Sequence, residues 1–154
     1  MCEKAPLLLS ACLAGVPCRF DGSHKVLPTE VLEKLLRENV VVLACPEICG
    51  DLPVPRDQIS IVGGDGGDVL EGRARASTSS SQDVTQNLIT GARCILSLCQ
   101  KLGIKRAILK SKSPSCSVGF LLDRGQHLYR GDGVTAALLQ ANSIECKPST
   151  DFTD

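Results

Sequence analysis

Two short apolar runs that each close on a cysteine constrain the fold of this chain more than any other feature. Residues 7–12 read Leu-Leu-Leu-Ser-Ala-Cys, and residues 40–45 read Val-Val-Val-Leu-Ala-Cys. The first is the pattern of a strand buried on both faces, and the second is a β-branched run that also predicts a strand. Between them, Pro28 and Thr29 open a stretch with Val31, Leu32, Leu35 and Leu36 on one side and Glu33, Lys34, Arg37 and Glu38 on the other. That spacing predicts an amphipathic helix. A strand, a helix and a strand joined by such short links imply parallel pairing through a right-handed crossover.

The remaining elements extend this sheet. Residues 46–56, rich in Pro, Gly and acid, predict turns and loop backbone rather than a regular element. Residues 59–62 and 68–70 flank the Gly63-Gly64-Asp65-Gly66-Gly67 turn and suggest a small surface hairpin. Residues 77–81 read as a polar, mobile connection. A long helix is expected over residues 83–102, because Val84, Leu88, Ala92, Ile95, Cys99 and Leu102 recur at helical spacing and Gly103 follows. Residues 107–109 predict a third parallel strand, followed by a loop over 110–119 and a short hairpin within 120–129. Asp132 is expected to cap a helix over 133–141, and residues 144–147 to form a last strand. The expected fold is one α/β domain over residues 1–154, three-layered and Rossmann-like, with a mainly parallel sheet and a small peripheral hairpin. Neither an internal repeat nor a dividing linker is present.

Composition narrows the function. The chain has 154 residues, 43% of them apolar, enough to bury a core. Lys plus Arg number 17 and Asp plus Glu number 17, so no long-range positive field favours nucleic acid or an anionic membrane. Aromatic residues are 3% of the chain, which leaves few stacking platforms for single strands. A small, uncharged ligand is the better expectation. No stretch approaches the roughly 18 consecutive apolar residues of a membrane span. The Leu9-Ser10-Ala11-Cys12 tetrapeptide has the form of a lipoprotein cleavage box. Against it, Glu3 offsets Lys4 and the apolar run over residues 5–11 is short for a leader, so the strand reading is preferred.

Nine cysteines are too sparse for a secreted disulfide scaffold, and their number is odd. Reduced thiols or metal ligands are expected, and with them a reducing cytoplasm. Cys12 closes the first strand, Cys45 closes the second, and Cys116 lies in the loop leaving the third. In an open parallel sheet the crevice beyond the carboxyl ends of the strands binds ligands, so these three can meet although 33 and 71 positions separate them. No CxxC pair supports a zinc ribbon or a thioredoxin-type site. Cys94, Cys99 and Cys146 read as small apolar packing residues, Cys2 as part of the terminus. Cys18 and Cys49 stand between local packing and a role at the site.

Several motifs carry a resemblance: Ser10-Ala11-Cys12-Leu13-Ala14-Gly15, Cys18-Arg19-Phe20-Asp21-Gly22, Cys45-Pro46-Glu47, Gly50-Asp51-Leu52-Pro53-Val54-Pro55-Arg56, Lys112-Ser113-Pro114-Ser115-Cys116 and Gly131-Asp132-Gly133-Val134-Thr135-Ala136. Six motifs in this order resemble the thiouracil desulfidase family over almost the whole chain. Phe20 stands where the family usually has Tyr, Asp51 where it has Gly, and Ser117 where Gly commonly follows the third cysteine.

The resemblance implies a 4Fe-4S cluster held by Cys12, Cys45 and Cys116, with one iron left open to sulfur. It also implies non-redox hydrolytic desulfuration of a thiolated pyrimidine base or nucleoside, with Glu47 as general base and Ser113 orienting the water. Read from the residues alone, Glu47 is better explained as a loop carboxylate and Ser113 as a turn hydroxyl. Arg19 and Arg56 could each bond a pyrimidine carbonyl, or pair with Asp21 or Asp51. His24 and His127 give no metal spacing. A monomer or homodimer, without membrane or nucleic-acid partners, is expected. An iron–sulfur redox or oxygen sensor without turnover, and a zinc-stabilised nucleotide-binding domain, are the competing readings.

Overall fold

Parallel pairing of β1 (Ala5–Ser10) with β2 (Asn39–Ala44) sets Leu7 opposite Val41 and Ser10 opposite Ala44. These elements belong to a computed structural model that describes residues 3–153; Cys2 lies outside the described residues. The crossover is α1 (Thr29–Glu38), which turns Val31, Leu32 and Leu35 to the core but leaves Leu36 exposed. A 3-10 turn (Ala11–Ala14) follows β1, and a four-residue helix, α2 (Pro46–Cys49), follows β2. β5 (Arg106–Leu109) and β8 (Glu145–Pro148) complete a four-stranded parallel sheet in the order β2-β1-β5-β8. The expected α/β class with its parallel sheet is therefore present.

The period of two along the strands divides the core between two faces. Leu8, Ala107 and Leu109 face Ile95 and Cys99 of α4 (Thr85–Leu102) and Ala136 and Leu139 of α5 (Val134–Ala141). Leu7, Leu9 and Ile108 face Leu13, Leu27 and the apolar side of α1. A third cluster joins β3 (Ile59–Val62), α3 (Gly66–Leu70) and β4 (Arg75–Thr78) to α4 through Ile59, Ile61, Val69, Ala76 and Leu88. β6 (Phe120–Leu122) and β7 (Leu128–Arg130) form the hairpin expected within residues 120–129.

Four local expectations are corrected. β3 pairs antiparallel with residues 75–78 rather than 68–70, because the glycine-rich segment starts a helix instead of turning a hairpin. Asp65 accepts the amide of Asp68 at 3.1 Å, and Asp68 accepts the amide of Asp65 at 3.0 Å; this reciprocal cap stabilises the start of α3. Ser77 and Thr78, expected in a mobile connection, are ladder residues of β4. Residues 46–49 are helical, with Pro46 at the start of α2, where a missing amide costs nothing. Asp132 does not cap α5. Its carboxylate accepts Gly119 N–H at 2.8 Å and Gln140 Nε2 at 3.0 Å, while the first amides of α5, those of Val134 and Thr135, reach the carbonyls of Pro114 and Ser115. The start of α5 thereby holds the loop that carries Cys116.

Candidate active site

The carboxyl ends of three adjacent strands converge on one cavity of about 540 Å³. Cys12 enters from the 3-10 turn after β1, Cys45 stands between β2 and α2, and Cys116 comes from the loop after β5. All three line this cavity, and so do Glu47 and Ser113. Backbone bonds fix each position. The Cys12 carbonyl accepts Lys25 N–H at 3.0 Å, the Cys45 carbonyl accepts Cys49 N–H at 3.0 Å, and Cys116 N–H donates to Ser113 Oγ at 3.1 Å. Ser113 Oγ also accepts Ser115 N–H at 3.2 Å. With both amides satisfied, its own hydroxyl proton is left to donate.

A fourth thiol belongs to the group. Cys18 is buried and lines the same cavity, so the site collects thiols from four positions. The neighbouring Cys12 side chain is the main cause that raises the Cys18 thiol. Cys45 is raised far above the usual thiol range, first by Cys18 and then by burial. Burial pushes Cys116 up to about 12, against the hydroxyls of Ser10 and Ser113, which favour its thiolate. The described cysteines are all free thiols. In this state Cys18, Cys45 and Cys116 are protonated at neutral pH, so any metal they take must displace protons.

The charged groups around the thiols differ from expectation. Arg56, offered Asp51 as a partner, instead forms a buried ion pair with Glu47. Arg19 donates to Ser23 Oγ at 3.3 Å, and Ser23, not Arg19, is the main cause that lowers the Asp21 carboxyl. Lys110 also lines the cavity, and burial, then Arg19, lowers its amine. Cys49 is exposed and does not line the cavity. Cys99 packs against the sheet, with Cys146 beside it, as expected; Cys94 is exposed rather than a core residue. Cys18 had a signal in the sequence, since it lies six positions after Cys12 across a tight turn. Arg56 had its place in a motif but nothing that pointed to Glu47 as its partner, and Lys110 had no signal beyond its charge.

The donor set suits a polynuclear sulfur-ligated centre. Soft thiolates select iron–sulfur clusters, zinc and copper(I) over hard cations. Among the described residues, no three His, Cys, Asp or Glu side chains close around a single ion. A cubane asks for something else, namely thiolates spread around a space, each meeting a different iron. Cys12, Cys45 and Cys116 all line one cavity, and soft thiolates in its wall fit such a group.

A parallel α/β sheet that delivers thiols, a carboxylate and a hydroxyl into one crevice beyond its strand ends defines an enzyme of the thiol-ligated cofactor class. More narrowly, the chain belongs to the 2-thiouracil desulfurase family, whose sequence profile matches residues 7–151. It is 42% identical over 137 residues to the uncharacterized protein YbbK of Bacillus subtilis (strain 168), an alignment spanning 87% of this chain and 89% of that protein. Its structure resembles that of the 4Fe-4S-dependent thiouracil desulfidase TudS with a TM-score of 0.84 at 33% identity, covering 96% of this chain and 93% of that one. The resemblance read from the six motifs is borne out. Among the described residues, no helix is long and apolar enough to cross a membrane.

Proposed function

We propose that this chain removes sulfur from thiolated pyrimidines, a free base or a nucleoside, by hydrolysis, and that Cys12, Cys45 and Cys116 hold a 4Fe-4S cluster for the reaction. One observation supports this most. The three thiols, Glu47 and Ser113 come from three separate segments of the chain and line the same cavity. When bound, a cluster with only three protein thiolates supplies an iron with a free coordination position, a soft Lewis acid that discriminates thiocarbonyl from carbonyl.

The chain's own residues supply the acid–base chemistry. Glu47, on the first turn of α2, takes a proton from water. Ser113, its oxygen occupied by two backbone amides, directs its hydroxyl proton and so orients that water. The water adds to the thiocarbonyl carbon, the carbon–sulfur bond breaks, and sulfur leaves as hydrosulfide while the oxo-pyrimidine forms. No electron is gained or lost. The wall formed by Ile59, Ile61 and Leu121 gives a flat base an apolar surface, and burial of that base excludes bulk water. The reduced thiols the site requires fit a cytoplasmic setting.

The test is anaerobic reconstitution with iron and sulfide, followed by 4-thiouracil and 2-thiouracil with a sulfide assay. Stoichiometric sulfide and uracil are expected. Glu47→Ala should keep its iron and lose about 10² to 10⁴ in kcat, the usual worth of a general base. Full turnover by Glu47→Ala would remove Glu47 from its role, and a loaded protein that releases no sulfide would remove the function.

A further inference from the structure

Glu47 does not stand alone in the cavity wall. The side chain of Arg56 is 5% exposed, and its guanidinium is fixed from three directions. Nη1 donates to the Pro53 carbonyl at 3.1 Å, while Nη2 donates to the Cys18 carbonyl at 3.3 Å and to Glu47 Oε2. The backbone of the same residue is pinned as well, because Arg56 N–H donates to the Phe20 carbonyl at 2.7 Å. Nε is buried and has no partner among the described residues.

This arrangement treats the two carboxylate oxygens of Glu47 differently. Oε2 is held by Arg56, and Oε1 accepts no hydrogen bond from the described residues. We infer that Arg56 is the positioning residue of the reaction: by gripping Oε2 it fixes the Glu47 carboxylate and leaves Oε1 as the oxygen that takes the proton from water. The inference rests on the reading of Glu47 as general base. A glutamate side chain has three rotatable torsions, and a base is effective only when its oxygen is held at the right distance from the proton it takes. Lysine could keep the positive charge, but it lacks the planar fork that engages two carbonyls and a carboxylate at once. The same grip joins the Cys18 loop to α2 through a single side chain, so the base and one of the grouped thiols share a common anchor.

A purely structural arginine, tying loops together, would act independently of Glu47. A positioning arginine acts through it. The experiment is therefore a double-mutant cycle with Arg56→Lys, Glu47→Ala and the double variant, each reconstituted anaerobically and normalised to bound iron, with kcat and KM measured on 4-thiouracil. Arg56→Lys should keep its iron and visible absorbance and lose about 10² in kcat. Its KM should shift much less, as expected where an interaction serves the transition state. In the Glu47→Ala background the lysine substitution should cost nothing more. Melting of the apo-proteins gives an independent readout, because removing Glu47 strands a buried guanidinium. The double variant should accordingly lose less than the two single losses combined. Arg56→Gln provides the second variant where lysine disturbs folding, with the same expected coupling.

Wild-type kcat in Arg56→Lys, or an undiminished loss when it is added to Glu47→Ala, would overturn the positioning role. Full turnover by Glu47→Ala alone would instead overturn the base assignment, and this inference with it.

Discussion

Gly91 of α4 approaches Pro46 so closely that a Cβ added to it would stand 2.0 Å from the Pro46 carbonyl oxygen. Gly50 meets the Asn87 carbonyl in the same way, with a Cβ at 2.1 Å, and Asn87 Nδ2 donates to the Gly50 carbonyl at 2.9 Å. The short helix that carries Glu47 is thus seated backbone to backbone on the longest helix of the domain. A four-residue helix has no stability of its own, so this seat is what places Cys45 and Glu47 at the cavity.

Gly91→Ala tests the seat. In a free helix the change would gain about 1 kcal/mol in propensity. Here a clash with backbone cannot be relieved by a rotamer change, so a net loss of about 3 kcal/mol or more is expected by denaturant titration. Iron retained after reconstitution should fall with it. A variant as stable as the parent would show that α2 is free to move.

Asp51 follows α2 with a φ of +66°, in the left-handed region. Glycine adopts this conformation without a Cβ penalty, and aspartate is among the few side chains that tolerate it. Asp51→Gly should therefore leave stability within about 0.5 kcal/mol of the parent, since relief of the Cβ contact offsets the extra entropy of the unfolded chain. Asp51→Val should lose about 2 kcal/mol, because a β-branched residue bears the full left-handed cost. Urea titration distinguishes the two, and equal stability of the glycine and valine variants would contradict the account.

The reciprocal cap of α3 carries a pH dependence. The Asp65 amide, then Arg73, holds the Asp68 carboxyl below the usual carboxylate range. Its folded value lies under the unfolded value of about 3.9, so its contribution is complete above that pH and fades as pH falls through the folded value. Asp68→Asn should lower the melting temperature at neutral pH, and the gap from the parent should close toward pH 2. A gap that stays constant down to pH 2 would remove the charge from the explanation.

The parallel framework was legible because burial leaves a direct record: residues 7–9 are apolar where both faces of β1 are covered, and the spacing from Val84 to Leu102 had to match one turn of helix, whereas β2 at the sheet edge is a β-branched run that leaves Val40 and Leu43 exposed. Cys12, Cys45 and Cys116 could be placed together because strand ends of a parallel sheet share one edge. Glycines were misleading. Gly63 to Gly67 resembled a hairpin turn, although Asp65 and Asp68 carried the spacing of a cap that starts α3. Gly91 and Gly50 gave no local sign of their role, since close backbone contact between distant segments leaves no periodicity. The same holds for Arg56, whose partner Glu47 sits nine positions earlier around a loop; charge alone made Asp51 look as suitable. Asp132 looked like a helix cap by position, yet the Pro114 and Ser115 carbonyls already satisfy those amides, a contact that only the folded chain reveals.

The most direct measurement is iron and acid-labile sulfide per chain after anaerobic reconstitution, made on the parent and on single serine variants of the cysteines. The account predicts about four of each in the parent, a near-complete loss in Cys12→Ser, Cys45→Ser and Cys116→Ser, and full loading in Cys94→Ser and Cys99→Ser. A parent that binds zinc in place of iron, or a Cys116→Ser variant that loads as well as the parent, would contradict it.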